Sequence, residues 1–328
     1  MNDGPLVFTE LDRTILRQIY PSGRITIAGV DPRVSVSRMA RALRTSRGRI
    51  GGRLREWQRS GMLRGYDVWP NPGLFGLTGL SVDLRLKDPL AKPELWRRVA
   101  LVDGAVQGLE FLGEWVSVQM VGPDLTTLRR RVRLLAQIDG VAGAGDAVEW
   151  PGFEPRRPLS GLDLRIVRAL REAPRASLTA IAHRAGVSTR TMTTRYGKLL
   201  GEQAVWFVPV YDFTHLASPV VGLNIGLETP NSHADVAREL RARLPPFLVF
   251  DWVGSRPPGG DRLLGVIVLA PSAAAVEEIQ RVAAATPGVA SSEANVLVRV
   301  LSFPETFDSL LEGAFRGIDR ATGRSPAR

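Results

Sequence analysis

Apolar residues recur along this chain with two periods, and the periods alternate twice in the same order. Leu11, Ile15, Leu16 and Ile19 fall on one helical face, Val36, Met39, Ala40 and Leu43 on a second, and Ile50, Leu54 and Trp57 recur at i, i+4 and i+7. The pattern returns as Leu162, Ile166, Val167 and Leu170, then Leu178, Ile181, Ala182 and Ala185, then Met192, Tyr196 and Leu199. Ile50, Leu54 and Trp57 match Met192, Tyr196 and Leu199 at one constant offset, so the spacing predicts two copies of one three-helix unit.

After each unit the alternation shortens to that of strands. The first stretch predicts strands at Leu80 to Leu86, Val106 to Leu112 and Trp115 to Val121, helices near Pro93 to Val102 and Leu125 to Ile138, and a last strand near Val141 to Trp150. The second predicts strands at Val220 to Leu227, Phe247 to Val253 and Leu263 to Leu269, helices at Ser232 to Leu244 and Ala273 to Ala285, and a strand near Val289 to Val300. Both read β-α-β-β-α-β, the order of a ferredoxin-like sandwich with helices on one face of an antiparallel sheet. The expected fold class is α+β: a helix-turn-helix unit of winged-helix type at 1–68, a sandwich at 69–150, a linker at 151–158, a second unit at 159–210, a second sandwich at 211–302, and a C-terminal helix and tail at 303–328. The Pro density of "PGFEPRRP" marks the linker, and the tail from Gly317 onward is expected to be disordered.

Charge divides the chain along the same lines. The net charge is +10. Residues 1–66 carry 13 Arg against 5 acids and residues 156–200 carry 10 Lys and Arg against 2, so each unit is +8 and the rest is mildly acidic. A basic module beside an acidic one suggests a head that binds a polyanion and a body with another task. With no cysteine and three scattered histidines, His183, His215 and His233, thiol chemistry and an ordinary metal site are not expected, nor is a cofactor. No apolar run reaches the roughly 18 residues of a membrane span, and the N-terminus lacks the layout of a signal peptide, so a cytoplasmic protein without membrane contact is expected.

The short turns "RTS" and "GVS" before each third helix have helix-turn-helix character, with Gly186 able to take positive φ and Ser46 and Ser188 placed to cap. Beyond the caps, the first third helix offers Arg47, Arg49, Arg53 and Arg55, and the second offers Thr189, Arg190, Thr191, Thr194, Arg195 and Lys198. Cations and small hydroxyls on one exposed face are the inventory for phosphates and base edges in a major groove. A solvated helix face would look similar. The excess of Arg over acids in both copies, and the turn before each, favour double-stranded DNA. Gly48, Gly51 and Gly52 weaken the first of these helices, each by roughly 0.5–1 kcal/mol relative to Ala.

The helix starts "LDRTILRQI" and "LDLRIVRAL", the passage "GMLRGYDVWPNPGLFG" into the sandwich, and the hairpin "FLGEWVSVQMVG" together resemble the Lrp/AsnC family of transcription regulators. That resemblance spans nearly the whole chain, twice. It implies sandwiches that pair through their sheets, here as an internal pseudo-dimer that could associate further, and a small effector, such as an amino acid, at the contact. By position in the family's hairpin, Gly113, Glu114 and Trp115, with Gly254 and Asp261 in the second half, are the effector candidates. Val116 stands where the family usually has Asp. A decarboxylase group acting on siroheme-type tetrapyrroles resembles the chain in architecture too, but no Asn-His-aromatic run precedes the third strand, and the expectation from sequence is a regulator, not an enzyme. A DNA-packaging protein of low sequence preference is a third possibility.

Overall fold

The computed structural model describes residues 4–19, 36–150, 158–229, 232–244, 248–256 and 261–322. Its first half runs α1 (Glu10–Ile19), α2 (Val36–Ala42), α3 (Arg47–Arg59), β1 (Leu63–Pro70), β2 (Thr78–Leu86), α4 (Lys92–Val99), β3 (Ala105–Phe111), β4 (Trp115–Gly122), α5 (Leu125–Ala136), β5 (Val141–Ala144) and β6 (Val148–Glu149). The second half repeats this order as α6 (Gly161–Glu172), α7 (Leu178–Ala185), α8 (Thr189–Gly201), β7 (Val205–Tyr211), β8 (Val220–Leu227), α9 (His233–Arg243), β9 (Leu248–Arg256), β10 (Asp261–Leu269), α10 (Ala274–Ala284) and β11 (Val289–Ser302), and adds α11 (Glu305–Thr322). The expected linker falls, but for Pro158, outside the described residues.

Each three-helix unit closes over its own apolar stripe. Ile15, Met39, Ile50 and Trp57 are buried in the first, with Phe8 stacked on Trp57 at 5.4 Å. Ile166, Ile181, Met192 and Leu199 are fully buried in the second. Side-chain oxygens satisfy the exposed backbone N–H groups at the helix starts: Ser46 accepts from Arg49, Ser177 from Ala180, Ser188 from Thr191, and Ser160 forms a capping box with Asp163. Gly186 ends α7 at φ 66°, the left-handed turn its sequence position predicts.

Each half also builds the antiparallel sheet expected of β-α-β-β-α-β, in the orders β5-β2-β4-β3 and β11-β8-β10-β9. The sheets are not separate. β11 pairs with β8 through Leu297 and then with β3 from Leu297 to Ser302, while β6 pairs with β2 and meets β9 at Glu149 and Ser255. Each last strand thus leaves its own sheet for the other half's, and the pairing of β2 with β4 closes a ring of eight strands. Helices α4 and α5 cover the outside of one sheet over Leu84, Val116 and Val118, and α9 and α10 cover the other over Leu223, Ile225 and Val266. β1 and β7 form a separate two-stranded antiparallel ribbon, with Trp69 opposite Trp206. The two copies therefore meet in a related way at the ribbon and at both seams of the ring.

The C-terminus departs from expectation. The chain beyond Gly317 continues as helix to Thr322: Phe307, Leu311 and Phe315 recur every four residues, Leu311 and Phe315 dock on α6, and Phe307 packs against Trp69 and Trp206 of the ribbon. Phe307 is fully buried, and the Arg168 guanidinium lies 4.0 Å from the Phe315 ring centre. Among the described residues, no helix is long and apolar enough to cross a membrane.

One glycine is demanded by packing. A Cβ on Gly79 would lie 2.2 Å from the Trp150 ring, which folds back over β2 and donates its indole N–H to Ser81 at 2.7 Å. Gly79→Ala is expected to cost about 1–3 kcal/mol, as overpacking does. Thermal unfolding that leaves the midpoint of G79A unchanged would show that Trp150 can move aside.

Candidate nucleic-acid interface

The third helices, α3 and α8, sort their cations into two groups. Arg47, Arg49 and Arg55 on α3, and Arg190 and Lys198 on α8, are exposed and make no ion pair among the described residues. Thr189 and Thr194 are exposed beside them, and Thr191 is half-buried under the Ser188 cap. The Thr194 hydroxyl donates back to the Arg190 carbonyl at 3.1 Å, leaving its lone pairs outward. Ser46 and Ser188 spend an oxygen on capping and remain exposed at the helix starts.

Arg53 and Arg195 do something else. Both were expected on the DNA-facing surface. Arg53 turns inward, donating from Nε to Asp12, from Nη1 to Glu56 at 2.6 Å and from Nη2 to the Val7 carbonyl. Asp12 is completely buried and also accepts from the Trp57 indole at 2.7 Å and from the Thr9 backbone and hydroxyl at 2.6 and 2.7 Å. Burial by itself would raise this carboxyl, but the hydrogen bonds from Arg53, Thr9 and Trp57 outweigh it and hold the pKa below the ordinary aspartate value. In the second unit Arg195 faces the equally buried Asp163 at 3.4 Å. The Asp of each "LD" start therefore anchors the third helix to the first. An Arg at the same register in both copies, each paired with an Asp at the same register, was the signal in the sequence.

Two glycines of α3, Gly48 and Gly52, face open space. A Cβ on Gly48 would meet nothing nearer than 4.0 Å and one on Gly52 nothing within 4 Å, so internal packing does not require glycine at either position. α3 is continuous from Arg47 to Arg59 all the same.

Among the described residues, the first-half hairpin positions each have a structural role. Gly113 makes the turn at φ 84°, Glu114 accepts from Arg85 at 2.9 Å, and Trp115 packs into the apolar cluster that includes Phe111 and Leu297. Gly254 lies opposite Leu263 in the β9–β10 pairing, and the Asp261 side chain lies outside the described residues.

Sequence reasoning missed a charged cluster at the junction of the halves. Buried Asp212, just after β7, accepts from Arg64 of β1 at 2.5 Å, from Thr214, and from Arg299 of β11 at 3.4 Å. Arg299 also donates to Glu110 of β3 at 2.8 Å, and Glu110 accepts from the Trp96 indole at 2.9 Å. Burial works to raise Asp212, yet the Thr214 hydrogen bonds and the charges of Arg299 and Arg64 hold it low. Burial lowers Lys92, which donates to the Phe111 carbonyl, and Glu110 opposes that shift. These partners come from five elements far apart in the chain, which is why no local pattern announced them.

Residues 159–200 match the AsnC-type helix-turn-helix domain. Over its length the fold is that of a siroheme decarboxylase, NirDL: the two superpose with a TM-score of 0.51 at 14% identity, covering 95% of this chain and 100% of that one. A second structure of that enzyme, in complex with an iron-uroporphyrin III analogue, covers 94% of this chain at 13% identity with the same TM-score. The AsnC protein of E. coli matches over 47% of this chain and 99% of its own, at 15% identity and a TM-score of 0.31. A comparison with curated protein sequences finds no match. The expectation that the chain is not an enzyme is overturned here, because a protein with this whole architecture is an enzyme.

Proposed function

We propose that the chain is a double-stranded DNA-binding transcription regulator of the AsnC type, with both three-helix units contacting DNA and the ring of strands serving as a fused pseudo-dimer. A cytoplasmic location goes with this reading. The observation that carries it is the sorting of cations on α8, inside the matched domain: Arg195 is held inward by Asp163, while Arg190 and Lys198 are exposed beside Thr189 and Thr194 without ion pairs among the described residues. α3 repeats this with Arg53 inward and Arg47, Arg49 and Arg55 outward. The exposed faces differ, so the halves would read unlike half-sites.

Fluorescence anisotropy on DNA selected from a random pool tests this. Arg190→Ala with Lys198→Ala is expected to weaken binding and to flatten the slope of log K against log salt by about 0.9 for each phosphate that is no longer neutralised. Unchanged affinity and slope would remove α8 from the interface, and perfectly palindromic selected sites would remove the unlike half-sites.

The full-length likeness to NirDL favours a second reading, decarboxylation of a siroheme-type tetrapyrrole. Incubation with that tetrapyrrole, followed by pigment absorbance and release of carbon dioxide, decides it. Turnover would establish the enzyme whatever the DNA result.

A further inference from the structure

The exposed faces of the two three-helix units are close to opposites. At the constant offset that relates Ile50 to Met192, the exposed Arg41, Arg44, Arg47, Arg49 and Arg55 of the first unit correspond to His183, Gly186, Thr189, Thr191 and Gly197 of the second. None of these arginines makes an ion pair among the described residues. The exchange also runs the other way. Arg190, Thr194 and Lys198 of α8 correspond to Gly48, Gly52 and Glu56 of α3, and Glu56 is engaged by the inward Arg53 at 2.6 Å. Along α3 and α8, arginine coincides only at Arg53 and Arg195, the pair that anchors each helix inside its own unit.

Arg44 is kept against the preference of the local backbone. It follows α2 at φ 48°, and Gly186 follows α7 at φ 66°. The hydrogen bonds of the two turns are the same: Arg44 donates to the Arg41 carbonyl and Gly186 to the His183 carbonyl, both at 3.2 Å, and the next residues, Thr45 and Val187, donate to Ala40 and Ala182 at 2.9 and 3.0 Å. Glycine takes this left-handed conformation without strain and arginine does not, so the turn by itself asks for glycine in both units. The first unit instead places an exposed cation there, just before the Ser46 cap of α3.

Base edges are read by side chains that donate, accept or touch a methyl group, whereas phosphates ask mainly for positive charge. On α3 the exposed positions 48 and 52 have no side chain, and the polar residues around them are arginines. On α8 the same positions are Arg190 and Thr194, with Thr189 beside them. We propose that the units divide the work: the first grips the phosphates of double-stranded DNA through Arg44, Arg47 and Arg49 without reading its sequence, and α8 reads the bases through Thr189, Arg190 and Thr194. The inference rests on the regulator reading and sharpens its unlike half-sites into one arm that is read and one that is only held.

Selection by the full chain from random duplexes long enough to span both units is expected to return one arm of fixed sequence and one arm with none. Anisotropy then compares the selected duplex with a scrambled one. Arg44→Gly with Arg47→Thr, the residues of the second unit, is expected to weaken binding to both duplexes by the same factor and to flatten the slope of log K against log salt by about 1.8, from about 0.9 per phosphate. Thr189→Ala with Thr194→Ala is expected to lower the preference for the selected duplex by about tenfold and to leave the scrambled one unchanged. Thermal unfolding checks the fold, and the midpoint of Arg44→Gly is not expected to fall, since the second unit makes the same turn with glycine. Fixed bases in both arms, such as a guanine held by Arg47 or Arg49, would overturn the division. So would a lost preference or an unchanged slope in the arginine variant, or an unchanged preference in the threonine variant. A lower midpoint with unchanged DNA binding would make Arg44 a cation on the α2 dipole and nothing more. No DNA binding by the unaltered chain would sink the regulator reading itself, whereas binding with both arms read would sink this inference alone.

Discussion

Asp12→Asn is expected to be among the most destabilising single substitutions in the chain, at about 3–5 kcal/mol, because it leaves Arg53 charged, mostly buried and without its main partner. Arg53 keeps only 14% of its side chain exposed and Asp12 none, so water cannot take the place of the carboxylate. Two further donors, the Trp57 indole and the Thr9 amide, would lose a charged acceptor at the same time. Asp163→Asn in the second unit is expected to cost less, since Arg195 is 3.4 Å away and 34% exposed. Denaturant unfolding of the two variants side by side checks the order; equal midpoints would mean that the shorter, drier pair is no stronger than the looser one. The same carboxylates set an acid limit. The folded pKa values of Asp12 and Asp212 lie below their unfolded values, so their stabilisation is full above about pH 4 and is lost as pH falls through the lowered folded values. In Asp12→Asn that part of the acid sensitivity is expected to disappear.

Arg171→Ala should be comparably severe, and for a different reason. Arg171 of α6 is 6% exposed and reaches Asp67 of β1 at 3.3 Å, Asp308 of α11 at 2.8 Å, the Pro304 carbonyl at 2.9 Å and the Val68 carbonyl, with the Phe307 ring 5.8 Å from its guanidinium. One side chain thus ties the second three-helix unit to the first half's ribbon strand and to the C-terminal helix. Its removal leaves Asp67, 12% exposed, with the Ser302 hydroxyl and the Trp69 indole but no cation among the described residues. A loss of about 3–5 kcal/mol is expected, with unfolding that separates into two steps as the second unit comes away from the ring. A single transition at the wild-type midpoint would show that apolar docking of Phe307 and Leu311 suffices.

Much of this was legible in the chain. Helices α6, α7 and α8 lie within a few residues of where the apolar spacing put them, and so do the strands of both sandwiches, because each buries one face and so carries a clean period of 3.6 or 2. The candidate DNA face was half legible. Charge and exposure placed Arg49, Arg55, Arg190 and Lys198 outward, but Arg53 and Arg195 share their composition and differ only in what lies across the unit. Periodicity marks which side of a helix meets the core and not which polar residue at its border meets a buried carboxylate.

The sequence by itself determined the order of elements along the chain, the basic character of the three-helix segments and the caps that start their helices, all of which depend on neighbours within a few turns of chain. Only the tertiary structure decided that β11 and β6 cross into the opposite sheet, that Asp12 and Asp163 consume an arginine each, and that α11 docks on the second three-helix unit. The reason is the range of the interactions. Local pattern records a residue's burial, whereas ring closure and buried ion pairs depend on partners tens to hundreds of residues away, whose identity no local period carries.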